Sequence, residues 1–92
     1  MFLFYAIHYP QPGKEELLIP KMLQFGELIK QQPGVLFVNP SPFRDPTNGT
    51  LISISVWESQ EAFQTVWPTL VQHAPSEEWE VKPREVYMFN TV

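Results

Sequence analysis

From Leu51 to Trp57 the side chains alternate, with Leu51, Ser53, Ser55 and Trp57 on one face and Ile52, Ile54 and Val56 on the other, which predicts a strand. The pattern breaks at Glu58-Ser59. Ser59 suits an N-cap, because its hydroxyl can accept from a free backbone N–H of a first helical turn, and Glu61 falls near the positive end of the helix dipole. Ala62, Phe63, Val66, Trp67, Leu70, Val71 and Ala74 then recur at three- and four-residue steps, opposite Gln60, Glu61, Gln64, Thr65 and Gln72. This predicts a helix with one buried face. Pro68 cannot donate to the carbonyl of Gln64, so a kink near Trp67 or a second short helix from Pro68 is expected, and Pro75 ends the segment.

The rest of the chain reads the same way. Phe2 to Tyr9 is almost wholly aromatic, aliphatic or β-branched and runs into Pro-Gln-Pro-Gly, so it predicts a strand. Phe2, Phe4, Ala6 and His8 share one of its faces; Leu3, Tyr5, Ile7 and Tyr9 share the other, and both call for cover. Between Lys14 and Gln32 the stripe Leu18, Met22, Phe25 and Ile29, with Leu17 and Leu28 beside it, predicts a first helix. Pro20 either kinks this helix or marks its first turn, Gly26 weakens it unless something packs close by, and Pro33-Gly34 stops it. Val35 to Asn39 predicts a short strand, residues 40–49 a loop whose Asn48-Gly49 pair suits a hairpin turn, and Val86 to Val92 a last strand.

The element order is therefore β-α-β-β-α-β in a single domain spanning residues 1–92. It predicts an α+β, ferredoxin-like fold: a four-stranded antiparallel sheet with both helices on one face. The other face, apolar as well, needs a second chain, so a homodimer is expected. Composition points the same way. The chain is 43% hydrophobic, 14% aromatic and only 17% charged, and a domain of 92 residues buries just ~60–65% of its unfolded surface when alone.

Net charge is −4, with six Lys and Arg and no basic cluster, which argues against nucleic-acid and anionic-membrane partners. With no cysteine in the chain, disulfides, thiolate catalysis and Cys-ligated metals are excluded, and a cytoplasmic protein is expected. The opening MFLFYAIHYP has no basic n-region and too short an apolar run for a signal peptide or membrane span.

The junction Val56-Trp57-Glu58-Ser59-Gln60-Glu61-Ala62-Phe63, the Pro33-Gly34 stop and the element order resemble the dimeric α+β barrel superfamily, and within it the antibiotic-biosynthesis-monooxygenase-like (ABM) domains. The resemblance spans essentially the whole chain. It implies a barrel formed by two subunits, with a ligand cavity between sheet and helices where first-strand polar groups meet second-helix aromatic or His residues. It implies oxygenases without a cofactor acting on phenolic or quinol-like substrates, among other activities. Haem-degrading members of the superfamily resemble this chain at Trp67, but carry Asn on the first strand where this chain has His8. Here His73 follows Trp67 by six residues, well round the helix from it.

The candidate chemistry is small. His8 is the residue of the first strand that titrates near neutrality, so it is either a hydrogen-bonded core histidine or a general base toward a phenol or hydroquinone. Trp57, Phe63 and Trp67 are core residues or walls for a planar aromatic. His73 binds a ligand or caps the second helix; Tyr5 and Tyr9 donate to a substrate oxygen or lie in the dimer interface. Arg44 and Asp45 are expected to pair on the surface, and Trp79 to dock on a partner subunit or the second helix. Two histidines without a converging carboxylate motif do not make a metal site. Three functions follow: a monooxygenase without a cofactor, with His8 as base; a non-catalytic small-molecule-binding or interaction homodimer; or, third in order, a haem-binding or haem-degrading protein.

Overall fold

Strand β1 (Phe2–His8) lies at the centre of the sheet, and its alternation is realised residue by residue: Phe2, Phe4, Ala6 and His8 are buried, while Leu3, Tyr5 and Ile7 are half-exposed. The computed structural model describes all of residues 1–92, with α1 (Glu15–Lys30), β2 (Val35–Val38), β3 (Phe43–Arg44), β4 (Leu51–Trp57), α2 (Gln60–Leu70) and β5 (Glu85–Asn90) following in order. Single 3₁₀ turns occupy Val71–His73 and Glu77–Trp79.

All pairings are antiparallel, in the order β2-β4-β1-β5. The expected four-stranded arrangement holds with one addition inside the 40–49 loop. The two-residue strand β3 joins the same edge of β4 that β2 uses, placing Phe43 opposite Ile52 and Arg44 opposite Leu51, while β2 pairs with Ser55 to Trp57. Two residues are too few to show a period. Gly49, at φ +77°, makes the turn back into β4, as the Asn48-Gly49 pair predicts.

Both helices cover the face of Phe2, Phe4 and Ala6. Ile29 from α1, Phe63 and Leu70 from α2 and Trp57 from β4 complete the main core, and a smaller cluster of Leu18, Met22 and Leu51 lies beside it. Helix α2 begins as expected, with Ser59 Oγ accepting from Ala62 N–H at 3.1 Å. Neither proline interrupts its helix: α1 passes through Pro20, and α2 passes through Pro68 to Leu70 before tightening into the 3₁₀ turn. The reason is exposure. Pro20 and Pro68 lie on exposed stretches of their helices, as do Glu16 and Gln64, where a carbonyl without a helical partner costs less than it would in the core.

Two surface expectations are corrected. Arg44 pairs with Glu15 of α1 rather than with Asp45, through two parallel contacts of 2.7 and 3.0 Å, because the register of β3 turns it toward the helices. Asp45 instead accepts the Thr47 N–H at 2.8 Å. Trp79 packs on the Leu18, Met22 and Leu51 cluster beside Ile19, on the first helix rather than the second. Its carbonyl accepts the Gln11 N–H at 2.9 Å, which draws the turn toward the end of β1.

Two glycines give opposite tests of this packing. Gly34 has φ +87°, and a Cβ there would lie 2.7 Å from the Cβ of Ala62, so Gly34→Ala is expected to cost at least about 2 kcal/mol. A Cβ on Gly26 would meet Val38 Cγ1 at 3.6 Å, an ordinary contact, so Gly26→Ala is expected to gain about 0.5–1 kcal/mol from helix propensity. Urea unfolding of the two variants checks both signs.

Candidate functional site

The helix-facing side of the sheet is not apolar throughout. Register places Ala6 opposite Ser53, Ser55 follows on the same face of β4, and Gly26 of α1 lines the same space, so small residues meet where large ones would fill the interior. The result is a cleft of about 500 Å³ between sheet and helices. Its apolar wall is built by Phe4, Met22, Phe25, Ile29 and Trp67, and β5 adds Val86 and Met88, which are themselves exposed along the sheet edge. Trp67 ends a run of aromatic contacts, with its ring 4.8 Å from that of Phe4 and 4.9 Å from that of Phe63.

The polar end of the cleft is formed by His8, Asn39, Ser53 and Arg84. His8 is 4% exposed, and its Nδ1 lies 3.3 Å from Oε2 of Glu80, a residue 5% exposed. Glu80 also accepts the Tyr9 N–H at 2.9 Å and an Arg84 Nη2 hydrogen bond at 2.7 Å. The Arg84 guanidinium reaches further, to the carbonyl of Pro75 at 2.6 Å, and its Nε lies 3.4 Å from Glu77. Burial works to raise the pKa of Glu80, but the hydrogen bonds from His8 and the Tyr9 N–H, with the positive charge nearby, hold it below the ordinary carboxylate value. Asn39 is held by its neighbours: its Nδ2 donates to the Ser41 carbonyl at 2.7 Å and its Oδ1 accepts the Ile54 N–H at 2.8 Å.

Of the residues singled out in the sequence, His8 and Trp67 line the cleft. Trp57 and Phe63 lie in the core behind it; Trp57 is fully buried, and its Nε1 donates to Ser55 Oγ at 2.9 Å. His73 is exposed in the 3₁₀ turn outside the cleft. Tyr5 is on the opposite face of the sheet, its ring stacked 5.0 Å from Tyr87 and 6.1 Å from Phe89. On that same face the hydrogen bonds that Glu85 accepts from the Tyr9 and Tyr87 hydroxyls, and then Lys82 beside it, hold its pKa down to about 2.

Glu80 and Arg84 are the residues that sequence reading passed over. They sit in a polar connection of the chain, SEEWEVKPRE, where charge usually means a solvated surface, and only the fold carries them inward beside His8. The cleft itself did leave a sequence signal: Ser53 and Ser55 share a face with Leu51 and Trp57, and small polar residues on a buried face mark space to be filled.

No protein-family model matches the sequence, and no curated protein matches it. Solved structures do match. A crystal structure of an antibiotic biosynthesis monooxygenase aligns over 100% of this chain and 99% of its own, with TM-score 0.78 and 18% identity. Rv0793 from Mycobacterium tuberculosis aligns over 99% of this chain and 94% of its own, with TM-score 0.84 and 15% identity. A mutant of SnoaB, a cofactor-independent oxygenase from Streptomyces nogalater, aligns over 98% of this chain and 91% of its own, with TM-score 0.77 and 17% identity. The chain therefore has the ABM-like α+β fold, and at these identities the likeness is one of fold. No helix is long and apolar enough to cross a membrane.

The Glu80 contacts make a pH prediction with a definite sign. Because its native pKa is lowered, the unfolded chain takes up the proton first as pH falls, so the stabilisation is full above the unfolded carboxylate pKa of about 4.3 and is lost below it. Glu80→Gln is expected to cost about 2–3 kcal/mol at pH 7, where it leaves Arg84 without its closest counter-charge. The gap in urea midpoint between the two proteins should narrow from about pH 5 to pH 3; a constant gap would show that Glu80 is not the group titrating.

Proposed function

We propose that the protein is a cofactor-independent monooxygenase-like enzyme acting in the cytoplasm on a small aromatic substrate of the phenol or hydroquinone type. The observation that carries this reading is a cleft of about 500 Å³ with an aromatic wall at one end and His8 at the other, on a fold shared with a cofactor-independent oxygenase. A planar ring fits against Trp67 and Phe25, and an ionisable hydroxyl at its rim reaches the polar end. His8 takes the proton, and the resulting electron-rich anion reduces oxygen itself. For an activated CH₂ on such a ring the balance is CH₂ + O₂ giving C=O + H₂O, so the substrate supplies every electron.

The unfilled volume favours this reading over a binding protein whose interior is packed by its own aromatics. The helix-free face supports a homodimer. Phe37, Phe43, Tyr87 and Phe89 are exposed there, around half-exposed Ile52, Ile54, Val56 and Tyr5, and a face of this kind is covered in a stable protein.

Tryptophan fluorescence titrated with hydroquinones, flavins and haemin should show saturable quenching by the hydroquinone class, lost in Trp67→Phe. Oxygen uptake with the ligand so found should be abolished by His8→Ala with the dimer intact; unchanged uptake would overturn the role of His8. Phe89 is 52% exposed, so Phe89→Glu should leave the subunit folded and halve the mass seen by light scattering.

A further inference from the structure

The buried group that the proposed reaction does not use is Glu80. Its side chain has no solvent exposure, yet the acidic residues just before it, Glu77 and Glu78, are exposed. Burying a carboxylate is costly unless every oxygen is occupied, and here each one is: Oε1 by the Tyr9 N–H, Oε2 by Arg84 and by His8 Nδ1. A carboxylate that accepts from a guanidinium and a backbone amide is ionised and can only accept. The proton between Glu80 and His8 therefore belongs to Nδ1.

The other ring nitrogen then decides what His8 can do. Nε2 makes no hydrogen bond, and it is not sealed in the protein, since the orphaned buried polar atom of the structure is Arg84 Nε; His8 itself is part of the cleft wall. We propose that Glu80 is a positioning residue, which by accepting the hydrogen bond of the His8 Nδ1–H leaves the Nε2 lone pair at the cleft as the acceptor for a substrate proton.

This rests on the reading of His8 as the base and adds the residue that makes it one. Charge balances through the step. With His8 neutral, Glu80 and Arg84 cancel; when the substrate O–H proton moves to Nε2, the imidazolium lies beside the Glu80 carboxylate and the charge gained is matched by the bound substrate anion. Glu80 stays ionised throughout, as a group that orients a histidine through hydrogen bonding does. The other ionisable groups facing this end are Glu77, 3.4 Å from Arg84 Nε, and Glu27 and Lys30 of α1 along the cleft wall.

The test is read on resting protein, with no substrate. In the full chain labelled with ¹⁵N-histidine, two-bond and three-bond proton–nitrogen correlations at neutral pH report which nitrogen of each ring bears the proton, and the exposed His73 serves as the internal reference. His8 is expected to show a protonated Nδ1 and a lone pair on Nε2. That preference should be lost in Glu80→Gln and retained in Glu80→Asp, with His73 unchanged in both. A lone pair on Nδ1 in the unmodified protein, or an Nε2 lone pair that survives in Glu80→Gln, would overturn the proposal, and the first of these is read without any variant having to fold. Oxygen uptake by His8→Ala bears on the proposed reaction alone, so failure of that reaction and failure of the positioning role are seen in different experiments.

Discussion

Phe63 is the contact through which the second helix is fixed to the sheet, and much of the molecule depends on it. Its ring lies 5.0 Å from both Phe2 and Phe4 of the central strand, 5.4 Å from Trp57 and 4.9 Å from Trp67 on its own helix. An aromatic at this place joins the first strand, the fourth and α2 in one cluster, and truncating so buried a ring costs about 3–5 kcal/mol in a typical core. Ser59 caps the helix four residues earlier, and Gly34 lies close enough to Ala62 that no side chain fits between them. Together these contacts set both the start of α2 and its height above the sheet. Trp67, one turn on, is thereby held at the wall of the cleft.

The cleft is the complement of that cluster. Where β1 and β4 present Phe2, Phe4 and Trp57 the interior is filled; where they present Ala6, Ser53 and Ser55 it is not. Close packing is the rule in protein interiors, so an open volume of this size is bounded by residues too small to close it and by neighbours too well anchored to collapse. Asn39 and the Glu80 network supply the anchoring at the polar end. Three charged or titratable side chains there, His8, Glu80 and Arg84, come from chain positions as far as 76 residues apart, and each satisfies part of what burial takes from the others.

The two faces of the sheet divide the work. The helix-facing side holds the core and the cleft. The opposite side holds Tyr5, Tyr87 and Phe89 in a stacked row with Ile52, Ile54 and Val56, and its polar feature is the Glu85 group with Tyr9, Tyr87 and Lys82. Because the side-chain period of a strand is two, the same alternation that sends His8 into the cleft sends Tyr5 and Tyr9 out to this face. The burial of His8 at the cleft and the placement of Tyr5 on the helix-free face are thus two consequences of one register.

Local periodicity by itself determined the elements. The alternation of β1 and β4, the stripes of α1 and α2, the Ser59 cap and the Gly49 turn all act over a few residues, and each formed where its pattern placed it. From the element order came the α+β sheet with helices on one side. What only the tertiary structure decided was the fate of residues with no local pattern. The two residues of β3 pair because β4 offers an unfilled edge, Arg44 finds Glu15 because that pairing turns it inward, and Trp79 meets α1 because the return of the chain crosses it. Most of all, Glu80 and Arg84 read as surface charges in the sequence, yet Glu80 becomes the buried partner of His8 and Arg84 the counter-charge of Glu80, since a charge is stable inside a protein only beside a counter-charge, and here the fold carries that pair in beside His8.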